Sequence, residues 1–271
     1  MKGIIDFGYR EFGEDGYINR KHLHGKSYEI LQIWSGEGVV IAKNNLYPIK
    51  KGAIYFINGM EIHCSALKNA RDYIRSKIVI SGSFIDSVLH NAGCDVILQD
   101  LFFKNGGSMI SPDSSDLAAL DEEFLSIKDN LAGQSLYSRL NITMSVLKIL
   151  QLSHSNINRA APALVNKVSG ILKYIDRNID QKISLAEIEE NFHCSKYYLC
   201  HIFKETTGMT ITDYILSKRI AAAKKRLAYT NDPLSLIAME CGFSSFAYFS
   251  KIFKEKNGLS PRDFRKMSAH S

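Results

Sequence analysis

Two sets of side chains in this sequence have types and spacings that can do chemistry. The first set lies near the end of the chain and comes as two groups fifty residues apart. Ser195, Lys196, Tyr197, Cys200 and His201 form one group, and Ser245, Phe246, Ala247, Ser250 and Lys251 form the other. Lysine, tyrosine, histidine and serine can hydrogen-bond to base edges and phosphates, while Phe246 and Ala247 suit apolar contact with thymine methyl groups. The second set is His22, His24, Glu29 and His63, with Trp34 close by. Imidazole and carboxylate are ligands for a first-row metal. They are also donors and acceptors for a polar small molecule, and they can serve packing alone. An indole face suits the CH faces of a sugar.

The elements that must carry the first set are visible in a repeat. Residues 195–208 read SKYYLCHIFKETTG, and residues 245–258 read SFAYFSKIFKEKNG. At a constant offset Ser195 matches Ser245, Tyr198 matches Tyr248, the IFKE block recurs, and Gly208 matches Gly258. Each copy reads as a helix capped by serine and stopped by glycine. Leu199, Ile202 and Phe203 share its inner face, as do Phe249, Ile252 and Phe253 in the second copy. Ser184 and Glu187 form a capping box for a preceding helix, and Pro233 starts its counterpart. A helix from about Thr212 to Ala228, roughly 25 Å long, joins the copies with Leu216, Ile220, Ala223 and Leu227 inward. Recognition helices entering successive major grooves sit roughly 34 Å apart, which this spacer accommodates. A repeated small helical unit of this kind is the outline of a tandem helix-turn-helix domain.

The second set falls among strands. Residues 28–34, 38–43, 46–49, 53–57 and 73–80 are rich in β-branched and aromatic residues, with Asn44-Asn45 as a two-residue hairpin turn. Short strands with tight turns over residues 1–110 predict an antiparallel barrel or jelly roll. Tyr28, Tyr55 and Phe56 lie on these strands and line a cavity wherever they point inward. Residues 111–157 change to a helical period. Leu136, Leu140, Thr143, Leu147, Leu150 and His154 form a stripe that either seats a helix on the barrel or pairs two chains. Residues 158–164, around Pro162, read as a linker, and residues 165–268 as an all-α domain.

Charge divides in the same place. Residues 1–159 hold 17 basic and 17 acidic side chains, while residues 160–271 hold 17 and 11, the whole excess of +6. A neutral domain joined to a basic one points to a polyanion partner for the second alone; a solvated basic face is the bland alternative. The five cysteines form no CxxC pair and read as reduced thiols in a cytoplasmic protein. Residues 1–20 carry no apolar run of a leader, and no stretch approaches the roughly 18 apolar residues of a membrane span.

Residues 167–267 resemble the AraC/XylS family of bacterial transcription regulators. The resemblance rests on Tyr214, Arg219, Ala223, Lys224 and Leu227, then on Ile237-Ala238, Gly242-Phe243, Tyr248-Phe249-Ser250, Phe253-Lys254, Gly258, Ser260-Pro261 and Arg265. Glu189 departs from the family's usual alanine, His201 from a common arginine, and Cys200 is unusual at its position. In the first domain Gly16, His22, His24, Glu29 and Gly36 follow the spacing of the first cupin motif. Gly52, Asn58, Met60 and His63 follow the second in part, with Asn58 and Met60 replacing its usual Pro and Gly. The resemblance implies a cupin barrel with flanking helices ahead of the tandem helix-turn-helix. It implies a regulator, read as an activator, that binds double-stranded DNA, responds to a small-molecule effector such as a carbohydrate, forms homodimers and contacts RNA polymerase. It favours the stripe of Leu136, Leu140, Thr143, Leu147 and Leu150 as a dimer helix, and His22, His24, Glu29 and His63 as effector contacts; Trp34 joins them as a strand aromatic whose face suits a sugar. No catalysis and no cofactor are expected. A metal held by His22, His24, Glu29 and His63, as sensor or as enzyme, is the lesser alternative. A ligand-blind activator and an alkylation-repair protein are others; repair needs a reactive cysteine in a dedicated motif, and Cys64 and Cys94 stand in none.

Overall fold

The computed structural model describes residues 3–12, 26–61, 63–104, 107–133, 135–157 and 166–268. The chain divides into two compact units, with the boundary after Val165. The residues expected to link them, 158–164, lie outside the described residues.

The first unit opens with strands β1 (Ile4–Phe12), β2 (Ser27–Ser35), β3 (Gly38–Ala42), β4 (Asn45–Pro48), β5 (Ile54–Asn58), β6 (His63–Leu67) and β7 (Ile74–Ser81). Helices α1 (Gly82–Asn91) and α2 (Asp95–Leu98) follow, the latter running into a π turn over Gln99–Phe103. Strand β8 (Gly107–Ile110) and helices α3 (Ser114–Leu131) and α4 (Leu136–Ser155) complete it. All strand pairs are antiparallel: five strands in the order β1-β7-β2-β5-β8, and three in the order β4-β3-β6.

Strand alternation sorts the side chains into two cores. Tyr28, Ile30, Ile54, Phe56, Ile78 and Ile80 pack on Ile85, Leu101, Phe124, Val146 and Ile149 of the helical layer. Leu31, Ile33, Tyr55, Ile57 and Met109 on the opposite face pack with Val40, Tyr47 and Leu67 of the smaller sheet. Helices, large sheet and small sheet therefore form three layers. Two facing antiparallel sheets are compatible with the jelly roll the cupin resemblance implies.

Three expectations need correction. The hairpin turn between β3 and β4 is Lys43-Asn44, because Ala42 pairs with Asn45. Lys43 takes the left-handed conformation, at φ 56°. Residues 82–91 and 95–103 are helical rather than part of a strand series. The leucine stripe of α4 divides: Leu136 is 75% exposed and Leu140 52%, whereas Leu150 is 1% exposed and belongs to the core. The buried stripe is Ile142, Val146, Ile149, Leu150 and Ser153. Residues 136, 140, 143 and 147 run about a quarter turn to its side, with Thr143 and Leu147 half-buried. Seating the helix on the sheet explains the C-terminal part of the predicted stripe, and Leu150 is not available to a second chain.

One buried polar group stands out. Gln32 on β2 is fully buried, and neither atom of its amide has a hydrogen-bond partner among the described residues. An unsatisfied buried amide costs about 1–3 kcal/mol. Gln32→Met keeps the length and removes both polar atoms, so it is expected to stabilise the unit by about 1 kcal/mol or more. Urea unfolding measures this; a lower midpoint for the variant would show that the amide is satisfied.

Candidate nucleic-acid interface

The second unit is all helical: α5 (Lys167–Arg177), α6 (Leu185–Phe192), α7 (Lys196–Thr207), α8 (Ile211–Tyr229), α9 (Leu234–Glu240), α10 (Phe246–Asn257) and α11 (Pro261–Ser268). Its local signals act as their chemistry requires. Ser184 and Glu187 form a reciprocal capping box on α6. Ser195 Oγ accepts the Tyr198 amide at the start of α7, and Ser245 Oγ accepts the Tyr248 amide at the start of α10. Gly208 and Gly258 end the two helices in the left-handed conformation, at φ 69° and 76°. Both helices are 12 residues long. Leu199 and Phe203 are buried in one, Phe249 and Phe253 in the other.

Helix α8 stands between the two copies and, at 19 residues, is about 28 Å long. Arg219 in its middle donates from Nε to the Ile179 carbonyl at 3.0 Å and from a terminal nitrogen to the Gln181 carbonyl at 2.5 Å. Burial lowers the Arg219 pKa, but a guanidinium stays charged. The same Ile179 carbonyl would lie 2.5 Å from a Cβ at residue 242. Gly242, at φ 80°, is thus required both by backbone conformation and by close approach. Near the other end of α8, Arg226 pairs with Asp232 and Glu240, while Arg265 donates to the Asp232 carbonyl.

With the cores turned inward, the predicted contact residues turn outward. Ser195, Lys196, Tyr197 and His201 are exposed and Cys200 is half-exposed; Ser245, Phe246, Ala247 and Lys251 are exposed and Ser250 is half-exposed. The hydroxyls of Ser195 and Ser245 serve first as helix caps. His201 faces Glu205 at 3.7 Å and Lys251 faces Glu255 at 3.9 Å, the same i,i+4 geometry in each copy. Such exposed pairs contribute only about 0.5 kcal/mol, so both side chains are easily redirected to a polyanion. Sequence reasoning missed one member. The Glu189 carboxylate accepts the Lys196 amide at 3.2 Å, and so occupies a donor at the N-terminus of α7. Its departure from the family's alanine was the available signal.

In the first unit Glu29 and His63 meet. His63 Nε2 lies 2.8 Å from Glu29 Oε2 and Nδ1 lies 2.8 Å from the Glu61 carbonyl, with both partners buried. Burial opposes charging of the His63 ring, but the Glu29 carboxylate and the Glu61 carbonyl outweigh it, and its pKa is raised. Arg75 and Lys77 are buried too; Lys77 pairs with Asp6, and the Arg75 guanidinium stands 5.7 Å from the Tyr73 ring. Trp34 does not join Glu29 and His63. Five residues from Glu29 it falls on the other face of the sheet, where its indole donates to Ser76 and stacks under Arg10. Tyr28 and Phe56 pack towards the helices, and Tyr55 towards the small sheet. His22 and His24 lie outside the described residues. Among the described residues no three His, Cys, Asp or Glu side chains converge as metal ligands, and no helix is long and apolar enough to cross a membrane.

A family model described as a helix-turn-helix domain matches residues 188–267. The bifunctional transcriptional activator/DNA repair enzyme AdaA of Bacillus subtilis is 39% identical over 98 residues, 36% of this chain and 46% of that protein. The chain therefore spans less than half the length of that relative. The HTH-type transcriptional activator RhaS of Mannheimia succiniciproducens is 24% identical over 254 residues, covering 90% of this chain and 88% of the relative. The arabinose operon regulatory protein of Escherichia coli is 29% identical over 166 residues, 60% of this chain and 56% of its own length.

Two outcomes are expected from this geometry. Arg219→Met removes a charged donor from two carbonyls and should lower stability by about 2 kcal/mol or more in urea unfolding; an unchanged midpoint would mean that water replaces the guanidinium. The Glu29–His63 pair has its own pH signature. A histidine whose folded pKa is raised contributes stability that is complete below the unfolded value of about 6.5 and is lost as pH rises through the folded value. The stability gap between the parent and Glu29→Gln should therefore narrow as pH rises from about 6.5 towards the folded value. A gap independent of pH would show that His63 carries no charge in the folded state.

Proposed function

We propose that this chain, whose C-terminal unit is an AraC/XylS-type tandem helix-turn-helix domain, is a cytoplasmic transcription regulator that binds specific sequences of double-stranded DNA. The observation that carries this reading is the pair of identically capped 12-residue helices with polar and cationic outer faces, in the unit holding the whole +6 excess of charge. Backbone amides and lysines hold phosphates and set the register, while Lys196, Tyr197, His201 and Lys251 read base edges. Relatives described as activators support activation, which entails contact with RNA polymerase. The exposed Leu136, Tyr137, Leu140 and Met144 of α4 support a homodimer in which this face, and not Leu150, meets the second chain.

The first unit is read as the effector domain. Glu29, His63, Arg75 and Lys77 are polar groups buried between two sheets, and such groups orient a small polar ligand. An arabinose regulator among the relatives supports a carbohydrate. The chain is read as a non-enzyme; the AdaA relative is bifunctional, and an alignment over 46% of it does not extend its repair activity to this chain.

Selection of bound sites from random duplexes tests the DNA reading. His201→Ala should relax specificity at one or two base pairs by about 1–3 kcal/mol. An equal loss on every sequence would make His201 a phosphate contact. For the effector, thermal unfolding of the full chain against a panel of sugars, with and without chelator, should show a stabilisation of about 2.7 kcal/mol at 100 times the dissociation constant. Destabilisation by chelator with no sugar response would favour a metal sensor instead.

A further inference from the structure

Three side chains beside the first recognition helix have no part in either site. Lys167, in the first turn of α5, donates from Nζ to the sulfur of Cys194 and stands 5.5 Å from the centre of the Tyr198 ring. Cys194 is half-exposed and lies in the turn just before the Ser195 cap of α7. A partly exposed thiol against a cation is the setting in which cysteine reacts, because the thiolate is the nucleophile. Three of the other thiols differ. Cys64 and Cys241 are buried, and burial pushes the Cys241 thiol up to about 11. Cys94 donates its S–H to the Ala92 carbonyl.

We propose that Cys194 and Lys167 form a peroxide-responsive modification site, in which a hydroperoxide joins the cysteine sulfur to the lysine nitrogen. The Cys194 thiolate attacks one oxygen of hydrogen peroxide, the O–O bond breaks, and a sulfenic acid and hydroxide result. The adjacent Lys167 ammonium gives the hydroxide a proton, leaving water and a free amine. The amine nitrogen then attacks the sulfur. An S–N bond forms, the S–O bond breaks, and the departing hydroxide takes a proton from nitrogen as a second water. Sulfur gives up two electrons and the peroxide accepts two, so the protein loses two hydrogens in total. The hydrogen bond to Cys194 is the main cause of a raised Lys167 pKa, which keeps on the lysine the proton that the first step consumes. The product ties the start of α5 to the turn of the first helix-turn-helix and replaces the thiolate–ammonium pair beside α7 with a neutral link.

Peptide mass spectrometry of the full chain after stoichiometric hydrogen peroxide tests this. The expected product is a peptide pair joined through residues 167 and 194, lighter by two hydrogens than its parts. Lys167→Arg keeps a cationic donor without a nucleophilic amine, so it should stop at the sulfenic acid, trapped by dimedone on Cys194. Lys167→Met should slow oxidation of Cys194 by about tenfold and leave that of Cys200 unchanged. The proposal is overturned if Cys94, Cys194 and Cys200 take dimedone at one rate, or if Cys194 in the parent chain passes to the sulfinic acid with no S–N product.

Discussion

The second unit depends on one guanidinium. Arg219 leaves the middle of α8 and binds the Ile179 and Gln181 carbonyls between α5 and α6. The glycine at 242 lets the turn between α9 and α10 come against that same carbonyl, where any other side chain would collide. A loop of the first helix-turn-helix and the turn of the second are thus held at one place on one helix. Hydrogen bonds from a charged donor to carbonyls contribute about 1.5–3 kcal/mol, enough to fix which face of α8 meets each copy. Arg226 and Arg265 then hold the segment that leads into α9 through Asp232. The orientation of α7 and α10 follows from these contacts and from the buried Leu199, Phe203, Phe249 and Phe253.

The first unit solves a different problem, burying charge. Glu29 and His63 are almost fully enclosed, and each needs the other because an isolated buried charge costs several kcal/mol. Their meeting follows from strand parity. Glu29 stands opposite Ile57 and Val79 on the face turned to the small sheet, and His63 begins β6 of that sheet. A shift of one residue in β2 would send the carboxylate towards the helices, among Phe124 and Ile149. The register of β2 and the protonation of His63 are therefore coupled.

Legibility followed the range of the interactions. Caps, glycine stops and the 3.6-residue stripe of α8 are local, and the repeat shows them twice, so the second unit was readable nearly to the residue. The strands from 28 to 80 were readable from composition, but which face each residue took was not. Trp34 and Glu29 are five residues apart, an odd step along a strand that puts their side chains on opposite faces. The α4 stripe misled because leucines at 136, 140, 147 and 150 keep a helical spacing whether they face core or solvent, and only the packing of Val146 and Ile149 against the sheet decides. Helices α1 and α2 lay in a region whose neighbours were all strands. The Glu189 contact with Lys196 crosses a turn, and spacing carries no mark of it.

Helices α7 and α10 divide their labour by face. The caps Ser195 and Ser245 and the core residues Phe203 and Phe253 are identical in the copies, and Leu199 is matched by Phe249, whereas several outer positions differ: Tyr197 against Ala247, Cys200 against Ser250, His201 against Lys251. The side chains that cap and pack the two helices are therefore separate from the outer side chains that differ between them. Surface substitutions away from caps and core usually change stability by less than about 0.5 kcal/mol. The outer face of each copy can then change independently of the other, and the fold imposes almost no toll on that change.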